Sequence, residues 1–397
     1  MTSAAALRTS SASTRPPTDD SLVNILGIET SCDETAAAIV TDGYRVHSNV
    51  ISSQIALHQA YGGVVPELAA RGQIQAIIPV VEAAVSDSGL GWSDIDAIAF
   101  TQGPGLAGSL LVGVNAAKTL AMVRKLPLLP VNHLEGHVYA NWLALPGADI
   151  EPPQLPAICL LVSGGHTELL RIDAPDRIEV LGRTIDDAAG EAFDKGARLL
   201  GLGYPGGPAI QRAGAGGDPH RYAFPRAALG GSLDFSFSGL KTALLREVDP
   251  YRLPDESPRP DPQSLFPQHR PPVFRTDLPV ADLAASFQEA IVDVLATKTI
   301  AAARETGARS ILIAGGVAAN RTLRDRLATL VDSTWTTGER PEVRWPDLSL
   351  CTDNAAMIAG RGWIEFQRGN LAGLDADAYP RWPIGTTPPG HAQKAFR

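Results

Sequence analysis

His133 and His137 stand four residues apart in the stretch NHLEGHVYAN. On a helix, that spacing puts two imidazoles on one face, a turn apart, which suits two ligands on a single metal ion. A pair of packed or surface imidazoles fits the same pattern. Zinc proteases place a glutamate directly after the first histidine. Here Glu135 comes two residues on, about 200° around a helix, and points away from the histidine face. A metalloprotease is disfavoured. A second cluster, IETSCDET at residues 28–35, packs Glu29, Asp33 and Glu34 among hydroxyls. Desolvated neighbouring carboxylates shift one another's pKa and can leave one as a base. In solvent the same residues are an acidic hairpin.

Glycine turns form a third group. In LLVSGGHTELL (residues 160–170) an apolar strand enters Ser-Gly-Gly and a second strand leaves it. Such a turn exposes backbone N–H groups to an anion, although an ordinary hairpin turn has the same pattern. IAGGVAANRTLR (residues 313–324) pairs another Gly-Gly with a helix start, a second place for a phosphate. GPGLAG at residues 103–108 matches G-x-G-x-x-G, but residues 116–131 contain no Asp or Glu to hold a ribose. It reads as a tight strand-to-helix turn rather than a dinucleotide site. Walker A is absent, which removes a P-loop NTPase. Between residues 195 and 246 seven bases face two acids, with Phe224, Phe235 and Phe237 nearby. That stretch is a candidate for tracking a phosphate backbone, or a solvated face.

The elements that must carry these residues are those of an α/β protein. The chain has 397 residues, 44% apolar and 19% charged, with net charge −9, which excludes wholesale disorder and fits two lobes. Its three cysteines lie far apart, so the expectation is a reducing compartment without disulfides. We find no continuous apolar run of about 18 residues that would span a membrane. From residue 23 the pattern reads as three strands and a helix over 66–88 whose apolar stripe is Leu68, Ile74, Ile77, Val81 and Val85. A strand, a helix over 106–124 and a strand follow. From residue 157 the order restarts: three strands, a helix over 188–200, a helix over 282–306, the strand SILIAG, a helix from Val317 and a last helix from Thr352. Two lobes of similar order, residues 23–150 and 151–384, imply a duplication with a ligand cleft between them. Residues 1–22 and 385–397 read as tails. Eight prolines in residues 249–275 make an exposed excursion unable to hold a helix or inner strand.

These pieces occur together in a known family. ETSCDETAAAIV, YGGVVPELAAR, GPGLAGSLLVG, NHLEGH, LLVSGGHTELL, EAFDKGARLLGLGYPGGPAI, DFSFSGLKT, AGGVAANRTLR and CTDNAAMIA, in this order between residues 24 and 384, resemble the transferases that make threonylcarbamoyladenosine in tRNA. That family was formerly labelled a sialoglycoprotein endopeptidase. The resemblance implies a two-lobed, duplicated actin-like fold of the Hsp70/hexokinase type. It implies one divalent metal, iron in preference to zinc, on His133, His137 and Asp353. It implies a threonylcarbamoyl-AMP site at Leu161, Val162, Ser163, Gly164 and Gly165, completed by Asp194, Gly207 and Asn320, with Asp33 and Glu34 near the reacting group. It further implies tRNA as substrate, a cytoplasmic location, and accessory proteins that include a paralogue lacking the metal site and a small ATPase.

The chain departs from the family pattern in places. Gln211 stands where many members have Asp, Asn132 replaces a histidine, and the proline-rich excursion and N-terminal tail look like additions. Two other readings fit parts of the sequence. A small-molecule kinase of this fold class would hold its metal through phosphates and water rather than imidazoles. A non-catalytic scaffold would bind nucleotide alone.

Overall fold

The structure is a computed structural model that describes residues 22–227, 229–254, 266 and 269–387. Five strands form the first sheet: β1 (Asn24–Glu29), β2 (Glu34–Thr41), β3 (Arg45–Ser53), β4 (Ala97–Gly103) and β5 (Leu128–Asn132). Their order is β3-β2-β1-β4-β5, with β1, β2 and β3 antiparallel and β4 and β5 parallel to β1. The second sheet holds β6 (Ala157–Val162), β7 (Thr167–Ala174), β8 (Arg177–Arg183), β9 (Ser310–Ala314) and β10 (Glu342–Arg344). Read as β8-β7-β6-β9-β10, it repeats the same order and directions. The duplication inferred from element order is therefore a duplication of topology. Central strands covered on both faces read as unbroken apolar runs, as AICLLV does in β6.

Helix Pro66–Asp87 lies on the first sheet, burying Ala69, Gln73, Ile77, Val80, Val81, Ala84 and Val85. The expected stripe was wrong at Ile74, which is 65% exposed. The inner face follows Ile77, Val81 and Val85, while Ile74 and Ile78 turn outward into a shallow groove shared with Leu111 of helix Ala107–Arg124. By length and hydropathy alone this helix is apolar enough to cross a membrane. Those criteria do not register that one of its faces is packed on β2 and β3.

In the second lobe, helix Val280–Thr306 supplies the core from Leu283 to Ala303. Phe224, Phe235 and Phe237 are buried in that core. They therefore contribute to the core and not to a surface that could track a phosphate backbone. The helix expected from Val317 begins at Arg321, after a short 3-10 turn at Gly316–Ala319. Asn320 sets the start, its side chain accepting from Leu323 N at 3.0 Å. The last helix is Ala356–Gln367 rather than one from Thr352; just ahead of its N-cap, Ala355, the Asn354 side chain accepts from Met357 N at 3.0 Å.

That last helix does not stay with the second lobe. It packs against β1, β4 and β5 of the first sheet, so the chain crosses back well before residue 384. Gly27 on β1 permits the approach: a Cβ there would sit 2.3 Å from the Ala355 carbonyl oxygen. Of the proline-rich excursion, residues 255–265 and 267–268 lie outside the described residues, as do the tails at 1–21 and 388–397. Its stem pairs Leu253 N with Val273 O at 2.8 Å and Arg275 N with Tyr251 O at 2.8 Å. Its far side touches the first lobe, where His269 N donates to Ala60 O at 2.9 Å.

Candidate metal centre and adjoining cleft

Strand β5 ends at Asn132, and a short helix, His133–Tyr139, starts there. Asn132 caps it, its Oδ1 accepting from Leu134 N at 2.9 Å and Glu135 N at 3.4 Å. The residue that departs from the family pattern is thus a buried N-cap, and no ligand is lost by it. His133 and His137 leave the same face of the helix, their rings 4.6 Å apart between centroids. On another face Glu135 binds Arg361 of the last helix at 2.7 and 3.0 Å. This is the direction away from the histidine face expected from its position in the sequence, although the side chain is buried.

Asp353 arrives from the loop before the last helix. Its Oδ1 lies 3.0 Å from His137 Nε2 and 3.6 Å from His133 Nε2. The three residues offer ligand atoms all within 4.8 Å of one another. Two ligands at tetrahedral angles on an ion about 2.1 Å away stand roughly 3.4 Å apart. The cluster could therefore hold a divalent cation, and two imidazoles with one carboxylate suit a transition metal better than magnesium. Burial alone would lower His133, but the Glu29 and Asp353 carboxylates overcome it and hold it at about 9. Burial would raise Asp353, yet His133 and His137 hold it well below the carboxylate range.

The acidic turn between β1 and β2 is no solvent hairpin. Glu29, Thr30, Ser31 and Asp33 are all buried. Burial, with Asp353 and Asp33 adding negative charge, pushes Glu34 up to about 9. Burial and Asp33 likewise push the Cys32 thiol far up, so it is no thiolate nucleophile.

A cavity of about 380 Å³ adjoins the centre. Gly164, Asp194, Gly207 and Asn320 line it, with Tyr204, Gln211 and Thr352. Asp194 Oδ1 accepts from Gly206 N at 2.7 Å, while burial raises its carboxyl. Gln211 Oε1 accepts from Arg321 N at 2.9 Å, tying the pocket rim to a helix start. Leu161 and Val162 are fully buried in strand β6, with Leu161 paired to both β7 and β9; of residues 161–165, Gly164 lines the cavity. At Gly315, φ is +85° and a Cβ would meet the Val162 carbonyl oxygen at 2.5 Å. That is why the second Gly-Gly turn needs its glycine.

Other features are missing from the sequence reading or changed by the fold. The basic stretch is partly spent internally: Lys195 pairs with Asp187 and Glu191, and Arg226 with Asp293. Thr352, Asn354 and Arg361 were not singled out. The CTDN stretch held a signal for Asn354, since Asn before an apolar helix is a cap. GPGLAG is the tight turn expected, joining β4 to helix Ala107–Arg124.

A crystal structure of T. kodakarensis HypF matches with a TM-score of 0.53 at 14% identity, over 87% of this chain and 48% of that one. Two lobes of one repeated topology, with a pocket and a His-His-Asp cluster at their junction, define an actin-like α/β protein of the ASKHA type. Residues 45–360 match the tRNA N6-adenosine threonylcarbamoyltransferase family. A protein of that name from Thermomicrobium roseum is 58% identical over 364 residues, covering 91% of this chain and 97% of its own. Another from Dehalococcoides mccartyi is 50% identical over 358 residues, covering 90% and 98%. The chain belongs to this family and is a tRNA-modifying transferase.

Proposed function

We propose that the protein moves the threonylcarbamoyl group of threonylcarbamoyl-AMP to the exocyclic amine of the adenosine 3′ to the anticodon, releasing AMP. The substrates are tRNAs that read codons beginning with A. One observation carries this reading: Thr352 lines the pocket, and the next residue, Asp353, meets His133 and His137. A nucleotide in the pocket therefore has its reactive end beside the cluster. Asp194, Gly207 and Asn320 would hold the adenylate, with the backbone of Leu161, Val162, Ser163, Gly164 and Gly165 around its phosphate.

The adenine amine is a weak nucleophile because its lone pair is delocalised into the ring. The mixed anhydride compensates by offering AMP as a good leaving group. Positioning and oxyanion stabilisation are then the protein's main contributions. A divalent ion held by His133, His137 and Asp353, iron in preference to zinc, would supply Lewis acidity toward the threonylcarbamoyl carbonyl. As the N–C bond forms and the C–O bond to AMP breaks, the amine proton must go to a base. Asp33 is assigned that role, with Glu34, whose carboxyl burial pushes up, beside it. The accessory proteins of this reading are a metal-site-lacking paralogue and a small ATPase. Three free cysteines accord with a reducing cytoplasm.

The test is a transfer assay with purified protein, accessory partners, threonylcarbamoyl-AMP and tRNA. Equal yields of AMP and threonylcarbamoyladenosine are expected, with Asp33→Asn slower by about 10²–10⁴-fold. No modified nucleoside in the presence of every partner would overturn the reading.

A further inference from the structure

Glu29 closes strand β1, an otherwise apolar run, and its carboxylate is fully buried. Both oxygens are engaged. Oε1 accepts from Ser31 N, while Oε2 accepts from Thr101 Oγ1 at 2.6 Å and faces His133 Nδ1 at 2.9 Å. A carboxylate in that position only accepts, so Nδ1 must carry a ring proton, and Nε2, on the Asp353 side, is the nitrogen left to an ion. His137 has no such partner, its buried Nδ1 being without a hydrogen bond. We propose that Glu29 is the positioning residue of the metal centre, fixing the tautomer and aim of His133 and tying the ion site to the acidic turn. This rests on the reading of His133, His137 and Asp353 as ligands.

Glutamine cannot replace it. With the amide nitrogen at Oε2, it would donate toward His133 Nδ1 and move the ring proton to Nε2. With the nitrogen at Oε1, two donors would collide at Ser31 N. Such outer-shell carboxylates typically govern metal affinity by about 10–100-fold.

The experiment measures Zn²⁺ dissociation constants for the full chain and for Glu29→Gln by competition with a chelating dye. Nitrogen-15 spectra of the Zn²⁺-loaded wild-type histidines accompany it. The expected result is a constant raised about 10–100-fold, with His133 of the loaded wild type protonated at Nδ1. A merely structural role would lower the variant's unfolding midpoint and leave its Zn²⁺ constant in place. An unchanged constant, or a Zn²⁺-loaded wild-type His133 protonated at Nε2, overturns the proposal. Should Glu29→Gln fail to fold, the wild-type tautomer decides. A wild-type chain that binds no Zn²⁺ overturns both the proposal and the ligand reading beneath it.

Discussion

Glu34 borders Asp33 in the acidic turn and accepts from Ser53 Oγ at 3.0 Å. Burial and the carboxylates of Asp353 and Asp33 lift it from 4.5 to about 9. An acid whose pKa is raised on folding contributes stability that is complete below its unfolded pKa and is lost as pH rises through the folded one. Glu34→Gln, which cannot ionise, should therefore gain thermal stability over the wild type as pH climbs from about 4.5 to about 9. Thermal unfolding followed across that range checks it, and a constant difference would contradict it. At this scale the histidine pair was legible because its spacing is local. Asp353 was not, standing 216 positions from His137, and only the family resemblance named it. The partnership of Glu29 with His133 spans 104 positions. It was invisible until the ends of β1 and β5 were seen on one edge of the sheet, either side of β4.

The helix that bears the two histidines is only seven residues long, too short to hold its own shape in water. Its order comes from the Asn132 cap in front and from Arg361 behind. Arg361 is buried and binds Glu135 at 2.7 Å and Glu365 at 2.6 Å. Removing the cation leaves two buried carboxylates without their counter-charge. Arg361→Met should therefore cost about 3–5 kcal/mol, read from the urea midpoint, and a loss under about 1 kcal/mol would show the network to be dispensable. Element types were largely readable from apolar periodicity, and boundaries failed where a side chain intervened. Asn320 and Asn354 each moved a helix start by four residues from the expected position. The stripe of Pro66–Asp87 failed at Ile74 because a helix with one covered face can still carry isoleucine on the other.

Across the whole molecule the repeated sheet order was foreshadowed by two runs of three strands. The return of helix Ala356–Gln367 to the first sheet was not, since no local pattern says which sheet a distant helix covers. The consequence is physical. A fragment of residues 23–150 lacks the cover over one face of its sheet, where Gly27 meets Ala355 and Ala359. It should stay unfolded by circular dichroism, whereas a native-like spectrum would mean that the first lobe folds without the returning helix. The same return sets the site, because it carries Asp353 from the second lobe's pocket wall to the histidines of the first. Anomalous scattering from crystals at the iron and zinc edges tests this most directly. The account predicts one peak about 2.0–2.3 Å from Nε2 of His133, Nε2 of His137 and the Asp353 carboxylate. A peak lying elsewhere, or an ion that leaves Asp353 uncoordinated, would contradict it.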